Sequence, residues 1–363
     1  MAELSERMRR LVQPHLSTIE PYDPNFTPTR INLSANENTY PMPSAARTAI
    51  DRALAATPLN RYPDPMSNEL RDELAAWHGV ERSRICVGNG GDELLFNFIY
   101  AFGGPGRTLL DCPPSFSEYA FFASLAQTEV RQVWRDPETF ELDQQAVLDA
   151  APDCDIVIVT SPNNPTGNLV PFEFVERLCA ACPGLVMVDE AYMEFADAGA
   201  SARSLLDAHD NLIILHTLSK AFGEAGIRLG YVLAAPDIID VFGAVRQIYS
   251  VNVLTQAAAL AAVRDRALFL PVIDRVRAER ERMFSALAEI AGGALTVWPS
   301  QANFLLVRMP GASEVRQRLR DEFSILVRDF SHAPGLQDCL RITIGTPEEN
   351  DAVLAALRAL LAS

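Results

Sequence analysis

The sequence of 363 residues predicts an α/β fold, with a mostly parallel sheet in a large domain and a smaller α+β domain. Two observations indicate this. From about residue 85, short apolar runs alternate with helical segments, and several runs are apolar on both sides, as strands are when both faces of a parallel sheet are covered. After Thr255 the pattern changes to longer helical segments with few strands between them, which is typical of a smaller mixed lobe.

The large domain is predicted from short strands that alternate with helices. The strands are expected at residues 85–87, 108–110, 130–133, 155–160, 185–188, 211–215 and 230–234. The helices are expected at residues 92–102, 115–126, 143–150 and 171–182. The order strand, helix, strand favours a sheet with helices on both faces.

The smaller domain is predicted beyond residue 255. A long helix is expected at 256–290, strands at 295–297, 304–307 and 340–344, and further helices at 313–323 and 347–361. The segment before about residue 50 is expected to join this domain. The predicted division is an N-terminal segment of residues 1–49, a large domain of residues 50–255 and a small domain of residues 256–363.

Composition and charge exclude several classes of protein. The formal net charge of −16 argues against a nucleic-acid partner, because no basic stretch offsets the repulsion from phosphates. No apolar run approaches the roughly eighteen residues that a membrane span needs, and the N-terminus lacks the apolar core of a signal peptide. We therefore expect a cytoplasmic protein without a membrane partner.

The cysteines and histidines predict no metal or redox site. The six cysteines are scattered in apolar contexts, as buried thiols are. Cys179 and Cys182 have a redox spacing, but they lie in a predicted helix and no second pair completes a zinc site. His216 lies inside an apolar strand pattern, which favours packing over catalysis.

The basic residues identify a candidate nucleophile. Of the 31 lysine and arginine residues, Lys220 is the one lysine. Arginine can replace lysine as a surface charge, but a guanidinium stays protonated and forms no imine with an aldehyde. The count alone is equally compatible with compositional bias, so the surroundings of Lys220 must decide.

Chemically useful side chains follow four predicted strands at their carboxyl ends, where ligands gather in open α/β sheets. These are Lys220, Asp189, the amide-containing loop 161–167 and the glycine-rich loop 88–93. Taken singly, the glycine loop could be an ordinary turn, and Asp189 could cap a helix or join Glu190 in binding a metal. Together they match an aldehyde cofactor with a ring nitrogen, a phenolic oxygen and a phosphate.

The segment Ser219-Lys220-Ala221-Phe222-Gly223 with Arg228, the loop 161–167 and Asp189-Glu190-Ala191-Tyr192 resemble the motifs of fold-type-I pyridoxal-phosphate aminotransferases. More narrowly, the chain resembles the histidinol-phosphate aminotransferases over nearly its whole length. The motifs that carry this narrower resemblance are Asn36-Glu37-Asn38, Arg61-Tyr62-Pro63, Gly90-Gly91-Asp92-Glu93, Cys112-Pro113-Pro114 with Tyr119, Tyr249 with Asn252, and residues 325–330 and 339–346. The resemblance implies an aspartate-aminotransferase-like fold, pyridoxal 5'-phosphate as cofactor and a homodimer with shared active sites.

The resemblance also implies roles around the cofactor. Lys220 would hold it as an imine and then act as the base that moves the substrate proton. Asp189 would pair with the ring nitrogen, and Asn164 and Tyr192 would donate to the phenolic oxygen. Tyr119 would stack on the ring.

The phosphate is expected at the start of a helix, where free backbone N–H groups favour an anion. The residues assigned to it are Gly91, Asp92 and Glu93 through their N–H groups, Ser219 and Arg228 through their side chains, and Tyr62 from the neighbouring subunit.

On the substrate side, Arg328 and Arg341 resemble anion receptors. Guanidinium groups bind carboxylates and phosphates in a bidentate manner, and both L-histidinol phosphate and 2-oxoglutarate are anionic. Tyr22, Asn36 and Tyr249 are expected to line the same pocket. Without the resemblance, surface ion pairing would remain an alternative for the two arginines.

The expected reaction is amino transfer from L-histidinol phosphate to 2-oxoglutarate, giving imidazole-acetol phosphate and glutamate. Two alternatives stay open: an aromatic amino-acid aminotransferase, because the same tyrosines could stack on a benzene ring, and a threonine-phosphate decarboxylase, because it shares the fold and the phosphate-binding arginines. Glu224, where the family usually has an apolar residue, is the departure that bears most on the substrate.

Overall fold

A computed structural model describes residues 5–16, 27–290 and 295–361. In this part of the chain, two sheets are formed. Their strands are β1 (Ile31–Leu33), β2 (Ile85–Asn89), β3 (Thr108–Asp111), β4 (Glu129–Gln132), β5 (Ile156–Thr160), β6 (Leu185–Asp189), β7 (Leu212–Thr217), β8 (Leu229–Leu233), β9 (Thr296–Val297), β10 (Phe304–Arg308), β11 (Ile325–Asp329) and β12 (Cys339–Thr343).

The described residues also form α-helices, of which the first has no buried residue. They are α1 (Glu6–Leu11), α2 (Ser44–Ala56), α3 (Asn68–His78), α4 (Gly91–Phe102), α5 (Glu118–Ala126), α6 (Gln144–Ala150), α7 (Phe172–Ala181), α8 (Pro236–Val245), α9 (Val253–Arg264), α10 (Leu270–Ala288), α11 (Ala312–Phe323) and α12 (Pro347–Leu361). None of the helices described combines the length and apolar character needed to cross a membrane.

The larger sheet has seven strands in the order β2-β8-β7-β6-β5-β3-β4. Neighbours from β4 to β7 pair in parallel, whereas β8 is antiparallel to both β2 and β7. Every residue of β5, β7 and β8 is buried, and separate apolar clusters cover the two faces of the sheet. The predicted α/β class and mostly parallel sheet are confirmed, because strands covered on both faces must be apolar on both.

The smaller sheet has five strands in the order β1-β11-β12-β10-β9. Strand β1 pairs in parallel with β11, so that residues 31–33 lie beside strands that are almost 300 residues later in the chain. The other pairs of this sheet are antiparallel.

The single helix predicted at 256–290 is wrong. Helix α9 ends at Arg264, a 3-10 turn covers Arg266–Phe269, and α10 begins at Leu270. Pro271 occupies the first turn of α10, where its missing N–H costs nothing, whereas inside one long helix it would remove a hydrogen bond and clash with the preceding turn. The prediction of one helix is explained by the Ala- and Arg-rich composition, which favours helix on both sides of the break.

Candidate active site

A cavity of about 480 Å³ lies at the carboxyl ends of β5, β6 and β7 and is closed on its other side by the smaller sheet and residues 34–37. Most of the residues selected from the sequence line it. They are Asn36, Gly91, Asp92, Tyr119, Asn164, Asp189, Tyr192, Ser219, Lys220, Arg228, Arg328 and Arg341. Side chains that are far apart in the sequence therefore meet in one place because the parallel strands end at one edge of the sheet.

The amine of Lys220 points into this cavity. Strand β7 ends at Thr217, and the short turn after it brings the Lys220 Nζ to 3.1 Å from the carbonyl oxygen of Ala35 and 5.8 Å from the ring centre of Tyr192. Burial, reinforced by the Arg341 guanidinium, lowers the pKa of the amine to about 8. A much larger fraction of the amine is therefore neutral near pH 7 than in a solvated lysine, as nucleophilic and basic work requires.

Asp189, the last residue of β6, provides a buried carboxylate at the floor of the cavity. Its Oδ2 accepts a hydrogen bond of 2.7 Å from the Tyr119 hydroxyl, and its Oδ1 accepts one of 3.0 Å from the N–H of Ala191. Burial raises the pKa of Asp189 although these two donors oppose the shift. The local turn contact and the site contact coexist, and a cationic partner in the cavity would stabilise the ionised form.

The position of Tyr119 differs from the stacking that was expected. Its ring is fully buried, and its hydroxyl lies 2.7 Å from both Thr160 Oγ1 and Asp189 Oδ2, so the side chain supports the carboxylate. Phe116, whose ring meets that of Tyr119 edge-on at 5.6 Å, also lines the cavity. Sequence reasoning missed Phe116, although an aromatic residue three positions before Tyr119 was a usable signal.

Tyr192 is fixed by Asn36. The Asn36 Nδ2 donates to the Tyr192 hydroxyl at 3.0 Å, while Thr343 Oγ1 accepts from the Asn36 N–H at 3.0 Å and donates to its Oδ1 at 3.1 Å. Burial raises the pKa of Tyr192, so that its phenol remains a donor near neutral pH. Asn36 thus orients a phenol in addition to lining the cavity.

Arg341 is an interior cation. It is only 6 % exposed, which excludes surface ion pairing as its main role. Its guanidinium donates to Asn164 Oδ1 at 2.5 Å and to the Ser34 carbonyl oxygen at 2.7 Å, and lies 5.4 Å from the ring centres of both Phe304 and Phe330. Because Asn164 Oδ1 accepts from Arg341, the side-chain NH₂ group of Asn164 is the group that can still bond to a ligand, as a donor.

Arg328 lines the same cavity from the neighbouring strand. Arg328 of β11 stands directly opposite Arg341 of β12 in the strand register. Two guanidinium groups on one face of the smaller sheet therefore face the lysine and the carboxylate of the larger sheet.

The start of helix α4 forms the other end of the cavity. Gly90, at φ 84°, caps the helix, and Gly91 and Asp92 line the cavity. Arg228 spans this loop and donates to Asp92 Oδ2 at 3.1 Å. A Cβ at Gly230 would lie 2.6 Å from the backbone of the loop, so β8 must have a glycine where the loop packs against it.

Two polar side chains complete this end of the site. Ser219 lines the cavity beside Thr217, whose Oγ1 lies 3.0 Å from the Ser219 Oγ. Glu93 does not line it: its carboxylate accepts from the Asn89 N–H at 2.5 Å and so stabilises the helix start. The backbone N–H of Glu93 is thereby held in the first turn.

Tyr62 and Tyr249 lie outside the cavity. Their rings stack on each other on the surface, with centres 4.5 Å apart and planes at 13°, and Tyr62 is 80 % exposed. Tyr22 lies outside the described residues.

The cysteines take no part in this site. All six are free and buried, and burial raises the pKa of Cys179 to about 12 and that of Cys182 to about 11. The two thiols with redox spacing, Cys179 and Cys182, are therefore protonated and packed in the interior at neutral pH.

The sheet order, the single lysine at a strand end and the facing carboxylate define the class of pyridoxal-phosphate-dependent enzymes with the aspartate-aminotransferase-like fold. The chain belongs to the family of class I and II aminotransferases, whose model matches residues 28–357. It is 38 % identical to the histidinol-phosphate aminotransferase of Parabacteroides distasonis over 97 % of this chain and 98 % of that protein.

Solved structures agree with this assignment. The histidinol-phosphate aminotransferase of Sinorhizobium meliloti in complex with pyridoxal-5'-phosphate is 26 % identical, with a TM-score of 0.89 over 100 % of this chain and 99 % of that one. A double mutant of the aspartate aminotransferase of Thermus thermophilus is 25 % identical, with a TM-score of 0.82 over 97 % of this chain and 99 % of that one. The predicted family and fold are confirmed.

Proposed function

We propose that this chain is a histidinol-phosphate aminotransferase, which transfers the amino group of L-histidinol phosphate to 2-oxoglutarate and gives imidazole-acetol phosphate and glutamate in histidine biosynthesis. One observation carries the proposal: a single cavity contains the one lysine amine of the chain, a buried carboxylate and two guanidinium groups. The relatives named above support the choice of substrate.

The residues present fit pyridoxal 5'-phosphate. Lys220 would hold its aldehyde carbon, Asp189 its ring nitrogen, and the Asn164 amide and Tyr192 hydroxyl its phenolic oxygen. When bound, the group supplies an electron sink for negative charge at the substrate Cα. A buried carboxylate that forms no ion pair with another described residue suits a protonated ring nitrogen, which is why Asp189 carries this assignment.

The phosphate of the cofactor fits the start of α4. The backbone N–H groups of Gly91, Asp92 and Glu93 lack helical acceptors, and the helix dipole favours an anion there. Arg228 and Ser219 would add a cation and a hydroxyl. Arg228 is already paired with Asp92, so binding of a phosphate would share that guanidinium.

Proton movement would depend on Lys220. With its pKa lowered to about 8, the amine can take a proton from the substrate Cα and hold it for onward transfer. Tyr119, hydrogen-bonded to Asp189, would keep that carboxylate oriented toward the ring nitrogen. The aromatic ring on the cavity wall best placed to pack on the cofactor ring is Phe116.

Arg341 and Arg328 would hold the anionic end of each substrate in turn. The interior position of Arg341 makes its charge strong, because little water screens it. A phosphate on one substrate and a carboxylate on the other are both ligands for guanidinium groups. Asn36 would act on the substrate pocket through Tyr192, to which it donates.

We further propose a homodimer with shared active sites, to which Tyr62 of each subunit contributes at the cofactor phosphate and Tyr249 at the substrate pocket of its neighbour. Large exposed side chains near the stacked tyrosines support this, since contiguous exposed apolar surface marks interfaces. They are Leu59, Met66, Ile248 and Leu254, and Ile248 is 75 % exposed. Tyr22 is proposed for the same pocket.

Mixing two inactive variants tests the shared site. Lys220→Ala and Tyr62→Ala chains, unfolded together and refolded, should regain up to about one quarter of wild-type activity, because half of the dimers are mixed and each has one intact site. Each variant refolded alone is the control. No gain on mixing, despite dimers in sedimentation, would show that Tyr62 acts only within its own subunit.

The same proposal places the enzyme in the cytoplasm, which the six free thiols support, and divides the chain at residues 50 and 256 as predicted. Pairing of β1 with β11 supports joining the N-terminal segment to the smaller domain.

A panel of amino donors tests the substrate. L-histidinol phosphate, phenylalanine and threonine phosphate are each incubated with the loaded enzyme and 2-oxoglutarate, and glutamate and carbon dioxide are measured. The proposal expects glutamate, formed fastest with histidinol phosphate. Faster turnover of phenylalanine would indicate an aromatic aminotransferase, and carbon dioxide release without 2-oxoglutarate a decarboxylase.

A further inference from the structure

A buried cluster of ionisable groups lies behind the cavity. Leu215 and Thr217 of β7 line the cavity, so His216 between them points to the opposite face of the sheet. There its Nε2 lies 3.4 Å from Glu190 Oε2 and its Nδ1 lies 3.7 Å from Glu194 Oε1. These are ion-pair distances, one carboxylate on each side of the imidazole ring.

Among the described residues, the other side chains packed on the His216 ring supply no competing positive charge. His78 Nε2 is 2.9 Å from the Tyr231 hydroxyl, and the rings of both pack near His216. Burial, with the neighbouring His216, lowers the pKa of His78 to about 2, and burial raises that of Tyr231, so both stay neutral. Arg203 reaches the cluster from its edge, donating to the carbonyl oxygen of His78.

His216 is therefore the ionisable base that faces both carboxylates. Glu190 accepts 2.7 Å hydrogen bonds from the Ala202 N–H and the Ser201 hydroxyl, which fix it in place. Although burial alone would lower it, the pKa of His216 is raised by Glu194 and Glu190, with a smaller effect of Asp189. The two carboxylates thus favour the protonated, imidazolium form of the ring, while burial raises the pKa of Glu190 itself.

The His216 side chain lies between two segments that carry active-site residues. Glu190 and Glu194 belong to the turn 189–195, which carries the carboxylate and the phenol of the active site. His216 lies on the strand that leads into Lys220, four residues before it. The two ion pairs are thus side-chain links between the turn and the lysine segment, in addition to the backbone bond from the Glu190 N–H to the Leu215 oxygen.

We propose that His216 is a positioning residue of the aminotransferase: as an imidazolium between Glu190 and Glu194, it aligns the turn 189–195 with the strand that carries Lys220. The proposal rests on the proposed function for its kinetic consequence only. Without the cation, the buried carboxylate of Glu190 and the half-buried one of Glu194 face a neutral ring, and an uncompensated buried charge is costly enough to displace the turn. A change in this alignment should therefore affect kcat more than it affects substrate affinity.

The charge state can be measured without substrate or cofactor. In cofactor-free protein with ¹³C-labelled histidine, one of the five histidine signals should titrate above the ordinary pH range and vanish in His216→Gln. The His209→Gln variant, changed at a partly buried histidine outside the cluster, should keep that signal. A His216 signal that titrates at or below its ordinary range would overturn the proposal, whatever substrate the enzyme proves to use.

Kinetics with the loaded enzyme test the positioning role. His216→Gln should lower kcat about 10-fold or more while KM changes less than about 3-fold, and His216→Arg, which keeps a cation, should recover most of the loss. In the wild type, kcat should fall at alkaline pH as the ring loses its proton, and His216→Arg should lack that limb. A His216→Gln variant with wild-type kcat, or an Arg variant no better than Gln, contradicts the proposal. If His216→Gln fails to fold, the wild-type titration and the Arg pH profile still decide.

Discussion

The two walls of the active-site cavity are built differently. On the large-sheet wall, the functional groups are attached to the ends of buried parallel strands and bonded to one another, as in the chain of contacts from Thr160 through Tyr119 to Asp189. On the small-sheet wall, Arg328 and Arg341 lie opposite each other on two adjacent strands, and their guanidinium groups line the cavity. One wall holds reacting groups in fixed directions, and the other attracts anions.

This difference assigns separate tasks to the walls. Directional groups in a buried network suit the steps in which a proton moves, because their geometry is set before the substrate arrives. Paired guanidinium groups suit two substrates of different shape, since each anion needs only to reach the same charges. Changes on the large-sheet wall should therefore act on kcat, and changes on the small-sheet wall mainly on KM.

Lys220→Arg should have the largest effect. Arginine keeps the positive charge but supplies no nucleophilic amine, so transamination should fall by about 10⁴-fold or more. Glutamate formation and the absorbance of the protein after addition of pyridoxal phosphate measure the loss. Lys220→Ala separates charge from chemistry: the two variants should be equally inactive. Activity in the arginine variant would contradict the covalent role.

Asp189→Asn should have the next largest effect on kcat, about 10²- to 10³-fold, because a neutral amide cannot hold a proton on the ring nitrogen. The variant should still bind the cofactor, as its absorbance would show. Tyr119→Phe, which removes one hydrogen bond to this carboxylate and keeps the ring, should cost about 10-fold or less. An Asp189→Asn enzyme of normal kcat would show that another group protonates the ring.

Arg341→Lys tests the small-sheet wall. Lysine keeps the charge but loses the fork that now reaches Asn164 and Ser34, so KM for both substrates should rise about 10- to 100-fold with a smaller change in kcat. Arg328→Lys is the matched variant on the facing strand. A large fall in kcat with unchanged KM in both would remove the distinction between the walls.

The sequence was sufficient for the parts of this site that depend on local pattern. Asp189 and Lys220 could be placed because each follows a short apolar strand, and strand ends meet at one edge of a parallel sheet. Their chemistry could be predicted because few residue types perform it.

Contacts between distant segments could not be predicted in this way. The hydroxyl of Tyr119 bonds to a residue 70 positions away, and Asn36 donates to Tyr192 across 156 positions. Such partners depend on how helices and strands pack against one another, and local periodicity does not predict that packing. For the same reason the sequence predicts Tyr119 on the ring face and assigns no role to Phe116, three positions earlier in the loop before α5.

Glu224 lies in the turn after Lys220 but does not line the cavity, so its effect on catalysis should be the smallest. It is 2 % exposed, and neither carboxylate oxygen has a hydrogen-bond partner among the described residues. Burial raises its pKa to about 7 from the ordinary 4.5. A carboxyl group with a raised folded-state pKa contributes its full stability below pH 4.5, and this contribution is lost as the pH rises through about 7.

The free energy of unfolding of the wild type should therefore fall relative to that of Glu224→Gln by about 2 kcal/mol between pH 5 and 7.5, while kcat changes little. Urea unfolding of both proteins at several pH values measures this difference, and Glu176→Gln, at an exposed position of α7, is the control. A difference that is the same at every pH would mean that Glu224 is already ionised in the folded protein. A large fall in kcat would instead mean that the turn after Lys220 transmits changes to the amine, and that the large-sheet wall is sensitive beyond the residues that line the cavity.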